Sequence, residues 1–76
     1  MTIAELDTVA LVHDLPAHGL LAGDTGAVVH VHTPDDYEVE FVTADGRTAA
    51  LLTLTAADVR PLRAGELLRV REFTAA

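Results

Sequence analysis

The sequence contains no cysteine, no serine and no lysine. Without cysteine, neither a disulfide framework nor a thiolate metal site can hold the fold. Without serine or cysteine, a Ser/His/Asp or Cys/His nucleophile is excluded, and we expect no enzymatic activity. The N-terminus lacks the basic and apolar regions of a signal peptide, and apolar runs such as Ala49–Leu52 are far too short to span a bilayer. These absences predict a cytoplasmic protein without a membrane segment.

Positive charge is scarce and confined to one part of the chain. Five arginines face twelve acidic residues, for a net charge of −7. Residues 1–46 carry nine acids and no Lys or Arg, whereas residues 47–76 carry five arginines and three acids. The acidic part repels phosphate, so we expect no nucleic-acid binding at physiological salt. Two interpretations of the acidic charge stay open: it keeps a small domain soluble, or it attracts a basic partner.

The 76 residues predict one all-β domain of about five strands. Residues 1–62 form the predicted domain, and residues 63–76 form a C-terminal tail. Alternating β-branched and apolar residues, separated by Pro, Gly and Asp turn signals, predict strands over Asp7–His13, Thr25–His32, Tyr37–Thr43, Arg47–Leu54 and Asp58–Leu62.

A long glycine-rich loop separates the first two predicted strands. Gly19 and Gly23 permit sharp turns, and Gly26 opens the second strand where another backbone can approach closely. Residues 55–58 predict a short 3₁₀ turn before the last strand, with Thr55 as its cap. Five short strands with this loop and this turn predict an SH3-like small barrel.

Alternation within the strands predicts the core. Glu38 and Glu40 alternate with apolar neighbours, so a one-residue slip of that strand would bury two carboxylates. One face of each of the first four strands supplies the predicted core residues: Val9, Leu11, Val29, Val31, Val39, Phe41 and Leu51.

The tail contains four sizeable apolar residues: Leu67, Leu68, Val70 and Phe73. Its spacing suits either a short helix or an edge strand. We expect contact to order it, within the chain or across a homodimer, because such side chains left in water usually mark an interface.

The histidines suggest a metal site only weakly. His30 and His32 are two residues apart and leave the same strand face, where His18 or Asp35 could join them. This spacing is common and carries no second recognisable ligand pair, so we expect no metal and no cofactor. Glu38 and Glu40 also share a face, but paired catalytic carboxylates need a cleft.

Several blocks at fixed spacing are similar to a known family. They are residues 5–9, the run from Asp14 to Val31, residues 37–41, Asp45-Gly46 and residues 58–60. Together they resemble short bacterial proteins catalogued as domain of unknown function number 4926. That resemblance implies no assigned activity. The glycine loop also looks like the opening of KOW-type barrels, which bind RNA or ribosomal protein and usually carry basic residues there.

Small size, acidic charge and the lack of catalytic groups predict a non-enzymatic protein-interaction module. Its partner could be encoded by a neighbouring gene, as for an antitoxin or immunity protein; the alternative is a nucleic-acid- or ribosome-associated KOW-like barrel. The candidate binding residues lie in the first loop and on an acidic surface at and before the third predicted strand: His18, Asp24, Asp35, Asp36, Glu38 and Glu40.

Overall fold

Five antiparallel strands form the molecule, which a computed structural model describes over residues 2–74. Residue 1, and residues 75 and 76 of the predicted tail, lie outside the described residues. The elements in chain order are β1 (Thr8–Leu11), a 3₁₀ turn (Pro16–His18), β2 (Thr25–Thr33), β3 (Asp36–Val42), β4 (Thr48–Thr55) and β5 (Val59–Pro61).

The strands make one sheet in the order β4-β3-β2-β1-β5. Every pairing is antiparallel, and β4 and β5 are its two edges. The all-β prediction of five strands is therefore confirmed, and the arrangement is consistent with a small SH3-like barrel. Within residues 2–74, no helix is long and apolar enough to cross a membrane.

Strand β3 sets which side of the sheet is the core. Tyr37, Val39 and Phe41 are buried, as their alternation predicts, while Glu38 and Glu40 lie on the outer face. The Tyr37 hydroxyl donates to the carbonyl of Pro34 at 2.5 Å, so its buried ring keeps a polar partner. Val9, Leu11 and Val59 complete the centre of the core.

The predicted core face of β2 was wrong at Val29. This side chain is 41% exposed, and Val28 is fully buried opposite Val39. The β2–β3 register shifts between Val28 and His30. Such a bulge inserts a residue and changes the phase of alternation, so Val31 returns to the core side and is partly buried there.

The predicted core residue of β4 was also wrong. Leu51 is 52% exposed because it pairs with Glu40, and residues opposite each other in a sheet share a face. Leu54 takes the core position instead, opposite Tyr37. The register of β3 thus decides which β4 leucines are buried.

Gly26 is where the sheet needs glycine. A Cβ atom there would lie 2.7 Å from Val39 Cγ1 and 2.9 Å from the Glu40 carbonyl oxygen. The predicted close approach at this position is therefore observed. In the preceding loop, Gly23 adopts a φ of +91°, which L side chains rarely adopt.

The 3₁₀ turn lies in the first loop, not before the last strand as predicted. The segment before β5 is a hydrogen-bonded turn, in which the Asp58 amide donates to the Thr55 carbonyl at 2.9 Å. The Asp58 carboxylate also accepts from the Thr55 amide at 2.8 Å. This local side-chain acceptor favours a turn over a helical segment.

The tail forms neither the predicted edge strand nor a short helix over residues 63–74. Phe73 packs against the core, but Leu67, Leu68 and Val70 are 95%, 60% and 96% exposed. Described tail residues that contact the barrel therefore include Phe73, which packs on the core, and Glu66, Arg69 and Arg71, which make charged hydrogen bonds.

Candidate interaction surface

Asp24, in the glycine loop, is the point at which the tail is attached. Arg71 donates to both carboxylate oxygens, with Nε at 2.8 Å from Oδ1, and Arg69 donates to Oδ1 as well. The Leu21 amide donates to Oδ2 at 2.8 Å. Arg71 also reaches the Gly19 carbonyl at 3.0 Å. One carboxylate thus joins the loop to residues 69–71 of the tail.

This contact fixes the charge of Asp24. Its side chain is only 11% exposed. Hydrogen bonds from Arg71 are the largest cause that holds the pKa of Asp24 well below its usual range. Hydrogen bonds from the Leu21 amide and from Arg69 lower this pKa further, whereas burial acts in the opposite direction. Asp24 was predicted as a surface binding residue, but its carboxylate is instead enclosed by partners in its own chain.

The remaining predicted binding residues are dispersed over the surface. His18 is exposed in the 3₁₀ turn, while Asp35 and Asp36 lie in and just after the β2–β3 turn. Glu38 and Glu40 follow on the outer face of β3. The structure therefore brings Asp36, Glu38 and Glu40 onto one strand and leaves His18 in a separate loop.

Hydroxyl groups from β4 orient the carboxylates of β3. Thr53 donates to Glu38 at 2.7 Å, and Thr48 donates to Glu40 at 2.7 Å. The Thr53 hydrogen bond is the largest cause that lowers the pKa of Glu38, followed by His32. The outer face of β3 and β4 is therefore an ordered acidic surface, which we call the acidic face: Glu38, Glu40, Thr48 and Thr53.

His30 and His32 share a face, and their ring centroids are 4.7 Å apart. Each ring faces a different carboxylate: His32 Nε2 lies 3.1 Å from Glu38 Oε1, and His30 Nδ1 lies 3.4 Å from Glu5 Oε1. Among residues 2–74, no three His, Cys, Asp or Glu side chains are grouped so that they could hold a metal ion.

His13 pairs with a residue distant in sequence. Its Nδ1 lies 3.0 Å from the Asp14 carbonyl oxygen, and its Nε2 lies 2.8 Å from Asp58 Oδ1. Both ring nitrogens face acceptors, and only the protonated ring can donate to both. The hydrogen bond to the Asp14 carbonyl is the largest cause that raises the pKa of His13, and the hydrogen bond to Asp58 raises it further. This pair joins the end of β1 to the turn before β5.

Most of the arginines are paired with carboxylates of the same chain. Besides Arg69 and Arg71, Arg60 makes a bidentate pair with Glu66 at 2.7 and 2.8 Å. Arg47 lies 3.3 Å from Asp45. In the part of the chain that is described, only Arg63 has no ion pair within 4.0 Å. The arginines therefore form no free basic patch.

A cleft of about 900 Å³ lies between the tail and one end of the sheet. Residues 69–73 of the tail, Phe41 at the end of β3 and the first two residues of β4 are among the residues that line it. The charged side chains in the lining are three arginines and three acids: Arg47, Arg69, Arg71, Asp24, Asp45 and Glu72. The sequence did not predict this cleft, nor the contact of Arg69 and Arg71 with Asp24, which we call the Asp24 clasp. The signal that the sequence offered was the alternation Arg69-x-Arg71-x-Phe73.

The fold and its surface define a small all-β domain with a barrel-like sheet, an acidic face and an attached tail. The chain belongs to the family described as Domain of unknown function (DUF4926), whose model matches residues 5–61. The match ends at β5, so residues 63–74 of the tail lie outside it. No curated protein and no solved structure matches the chain.

Proposed function

We propose that this protein is a non-enzymatic interaction module that binds a basic protein partner. The observation that carries the proposal is the imbalance of free charge. Three carboxylates, those of Asp24, Asp45 and Glu66, pair with four of the five arginines, because Asp24 is shared by Arg69 and Arg71. Twelve acids less these three leaves nine without an arginine partner in residues 2–74, against one unpaired arginine.

The same imbalance argues against the nucleic-acid alternative. Phosphate binding is built largely from free Lys and Arg side chains, and this chain has no lysine. Three of the four arginines in the C-terminal part, Arg60, Arg69 and Arg71, already donate to carboxylates of their own chain. A phosphate group would have to replace these intramolecular partners, whereas a basic protein would meet nine carboxylates that have no arginine partner in residues 2–74.

Electrostatic complementarity raises association rates and selects partners of opposite sign. A dedicated basic partner encoded by a neighbouring gene, as for an antitoxin or immunity protein, is the specific form of the proposal. Glu38 and Glu40 are the residues expected to meet it, because Thr53 and Thr48 hold them in place on the outer face.

The test is reconstitution of the complex from the purified chain and the purified product of the neighbouring gene. Light scattering should show a complex of defined stoichiometry, and calorimetry should show affinity that falls with salt. The Glu38→Gln/Glu40→Gln double variant should bind more weakly, while keeping oxygen acceptors for the two threonines. As a control, mixed RNA in a gel shift should not bind; RNA binding with a steep salt dependence, or no complex with the protein, would contradict the proposal.

A further inference from the structure

Strand β4 is an unprotected edge of the sheet. It is 8 residues long and contains neither a charged residue nor a proline. The other edge strand, β5, has only 3 residues and contains Arg60 and Pro61. Charge, proline and short length are features that keep an edge strand from pairing with another chain. Because β4 lacks all of them, it can accept a further strand.

The register shows which backbone groups of β4 point to its free edge. The Ala56 amide donates to the Asp35 carbonyl at 2.9 Å, which continues the β3–β4 ladder by one pair. Alternate residues of an antiparallel strand direct their N–H and C=O groups to the same neighbour. Residues 52 and 54 therefore pair with β3, whereas Leu51 and Thr53 direct their backbone groups away from it.

The outward backbone groups are capped at one end of β4 and open at its centre. The Thr55 amide has the same phase as those of Leu51 and Thr53, and it donates to Asp58 Oδ2 at 2.8 Å. The amides and carbonyls of Leu51 and Thr53 have no hydrogen-bond partner in residues 2–74. These donors and acceptors are available to the backbone of an added strand.

The strands at this edge carry acid and no arginine. Asp36, Glu38 and Glu40 lie on β3, and neither β3 nor β4 contains Lys or Arg. Hydroxyl groups of β4 donate to the carboxylates of Glu38 and Glu40 at 2.7 Å, so both carboxylates turn towards the edge strand. Arg47, which precedes β4, is paired with Asp45. The charge beside the open backbone groups is therefore negative.

We propose that an extended basic segment of the protein partner adds to β4 as a further strand. This inference rests on the proposed function and names the element on which the partner docks. An arginine opposite Leu51 shares its outer face, and the arginine's aliphatic stem can lie on this leucine, which is 52% exposed. Glu40, which pairs with Leu51, has no ion-pair partner within 4.0 Å in residues 2–74 and can receive the guanidinium. On the opposite face, half-buried Leu52 favours an apolar side chain, so the segment alternates arginine and valine.

Charge favours this occupant over a second copy of the chain. A second copy that paired through its own β4 would bring no cation to Glu38 or Glu40. It would also bring together two chains of −7 each. A strand that bears arginine supplies the opposite charge on the face where the carboxylates lie.

The first test uses a synthetic peptide that alternates valine and arginine, labelled for fluorescence anisotropy. One control has the same sequence with its backbone amides methylated, which keeps the charge and removes the strand donors. A second control has glutamate in place of each arginine, which keeps the alternation and reverses the charge. The parent peptide should bind at least about tenfold more tightly than either control and should shift the amide signals of Leu51 and Thr53 in NMR spectra. Equal affinity for the parent and either control, or unperturbed amides at these two residues, would overturn the proposal.

The second test uses two variants of equal net charge. Leu51→Lys places a cation on the free edge, where it repels the basic segment and competes for Glu40. Leu68→Lys makes the same change at a leucine of the tail that is 60% exposed. Leu51→Lys should bind the parent peptide at least about tenfold more weakly than Leu68→Lys does, and equal affinities would contradict the proposal. Both leucines are exposed, so both variants should fold, and thermal melts check this.

The reconstituted complex separates failure of this inference from failure of the proposed function. A protein complex that forms as tightly with Leu51→Lys as with Leu68→Lys would leave the proposed function intact and exclude β4 as the docking strand. A dimer of the chain alone, detected by light scattering and abolished by Leu51→Lys, would assign the edge to a second copy and overturn the proposal.

Discussion

The sheet and the tail of this protein are held in place by different forces. The sheet joins a backbone hydrogen-bond ladder to a core in which Val9, Val28 and Val39 are fully buried. Residues 63–74 of the tail have no such ladder. They are held by charged hydrogen bonds to Asp24, by the Arg60–Glu66 pair and by the half-buried ring of Phe73. We therefore expect the barrel to unfold as one cooperative unit, and the tail to detach at a free-energy cost below that of global unfolding.

The largest expected effect tests the barrel. Phe41→Ala should destabilise the protein by about 3–5 kcal/mol, because it leaves a cavity beside Val39 and Gly26 that the core cannot fill. Leu51→Ala, at an exposed position of β4, is the control and should cost less than about 1 kcal/mol. Chemical denaturation measures both, and similar losses for the two variants would contradict the observed core.

A smaller effect should follow from crowding the same core. Gly26→Ala should cost about 1–3 kcal/mol, since the new methyl group meets Val39 and the rigid carbonyl of Glu40 at under 3.0 Å. Gly65→Ala in the tail meets nothing within 4 Å and should change stability by less than about 0.5 kcal/mol. Thermal melts of the two variants compare the packing of the barrel with that of the tail. Equal melting temperatures for the two variants would contradict the expectation that Gly26 is closely packed and Gly65 is not.

Breaking the Asp24 clasp should affect the tail more than the barrel. Asp24→Asn removes the charge that Arg69 and Arg71 share and should cost about 1–2 kcal/mol, a value reduced by the partial exposure of both guanidinium groups. Asp35→Asn is the control, because the Asp35 carboxylate accepts no hydrogen bond in residues 2–74. NMR should show altered amide shifts over residues 67–73 with those of β1–β3 retained. Loss of the sheet signals would show instead that the clasp supports the whole fold.

The contact of Asp24 with Arg69 and Arg71 should also persist at mildly acidic pH. The pKa of Asp24 is lowered in the folded state, so its stabilising effect is present above the unfolded pKa of about 3.9 and is lost only as pH falls through the lower folded value. The tail should therefore stay attached at pH 4. Amide shifts of residues 67–73 followed from pH 7 to pH 3 test this, and detachment of the tail near pH 5 would contradict it.

The smallest expected effect concerns the beginning of the tail. Hydrogen bonds from Arg60, and then from the Arg63 amide, lower the pKa of Glu66 to about 2. This pair thus stabilises the fold above the ordinary pKa of about 4.5, and its contribution is lost as pH falls through about 2. A carboxyl ¹³C titration should find the low midpoint, and Arg60→Gln should return it towards the ordinary value. A midpoint near 4.5 in the unmodified protein would show that the pair does not persist in solution.

Much of the sheet could be predicted because residue type and the alternation of neighbouring residues determine where its strands form. The alternation of Tyr37, Val39 and Phe41 with two glutamates specified the faces of β3, and Gly26 was expected where a backbone comes close. The core faces of β2 and β4 could not be predicted in full. In β2, a bulge near Val29 shifts the alternation of buried and exposed residues. In β4, the pairing of Leu51 with Glu40 places Leu51 on the outer face. Both depend on a neighbouring strand.

The candidate surface was less predictable than the fold. Glu38 and Glu40 were expected on the outer face and lie there, whereas Asp24 was expected at the surface and is clasped by two arginines. Those arginines are 45 and 47 residues away in sequence. No local pattern encodes a contact of that range.

The sequence by itself determined the strand-forming segments, most of the turns, the acidic charge and the absence of serine and cysteine nucleophiles, because each follows from residue type and short-range periodicity. Only the tertiary structure decided which leucines are buried, which carboxylates the arginines pair with, and that the tail borders a cleft beside the first residues of β4. These features depend on strand register and on chain segments that meet only after folding, since a side chain's burial and charge partners are properties of the surfaces packed against it.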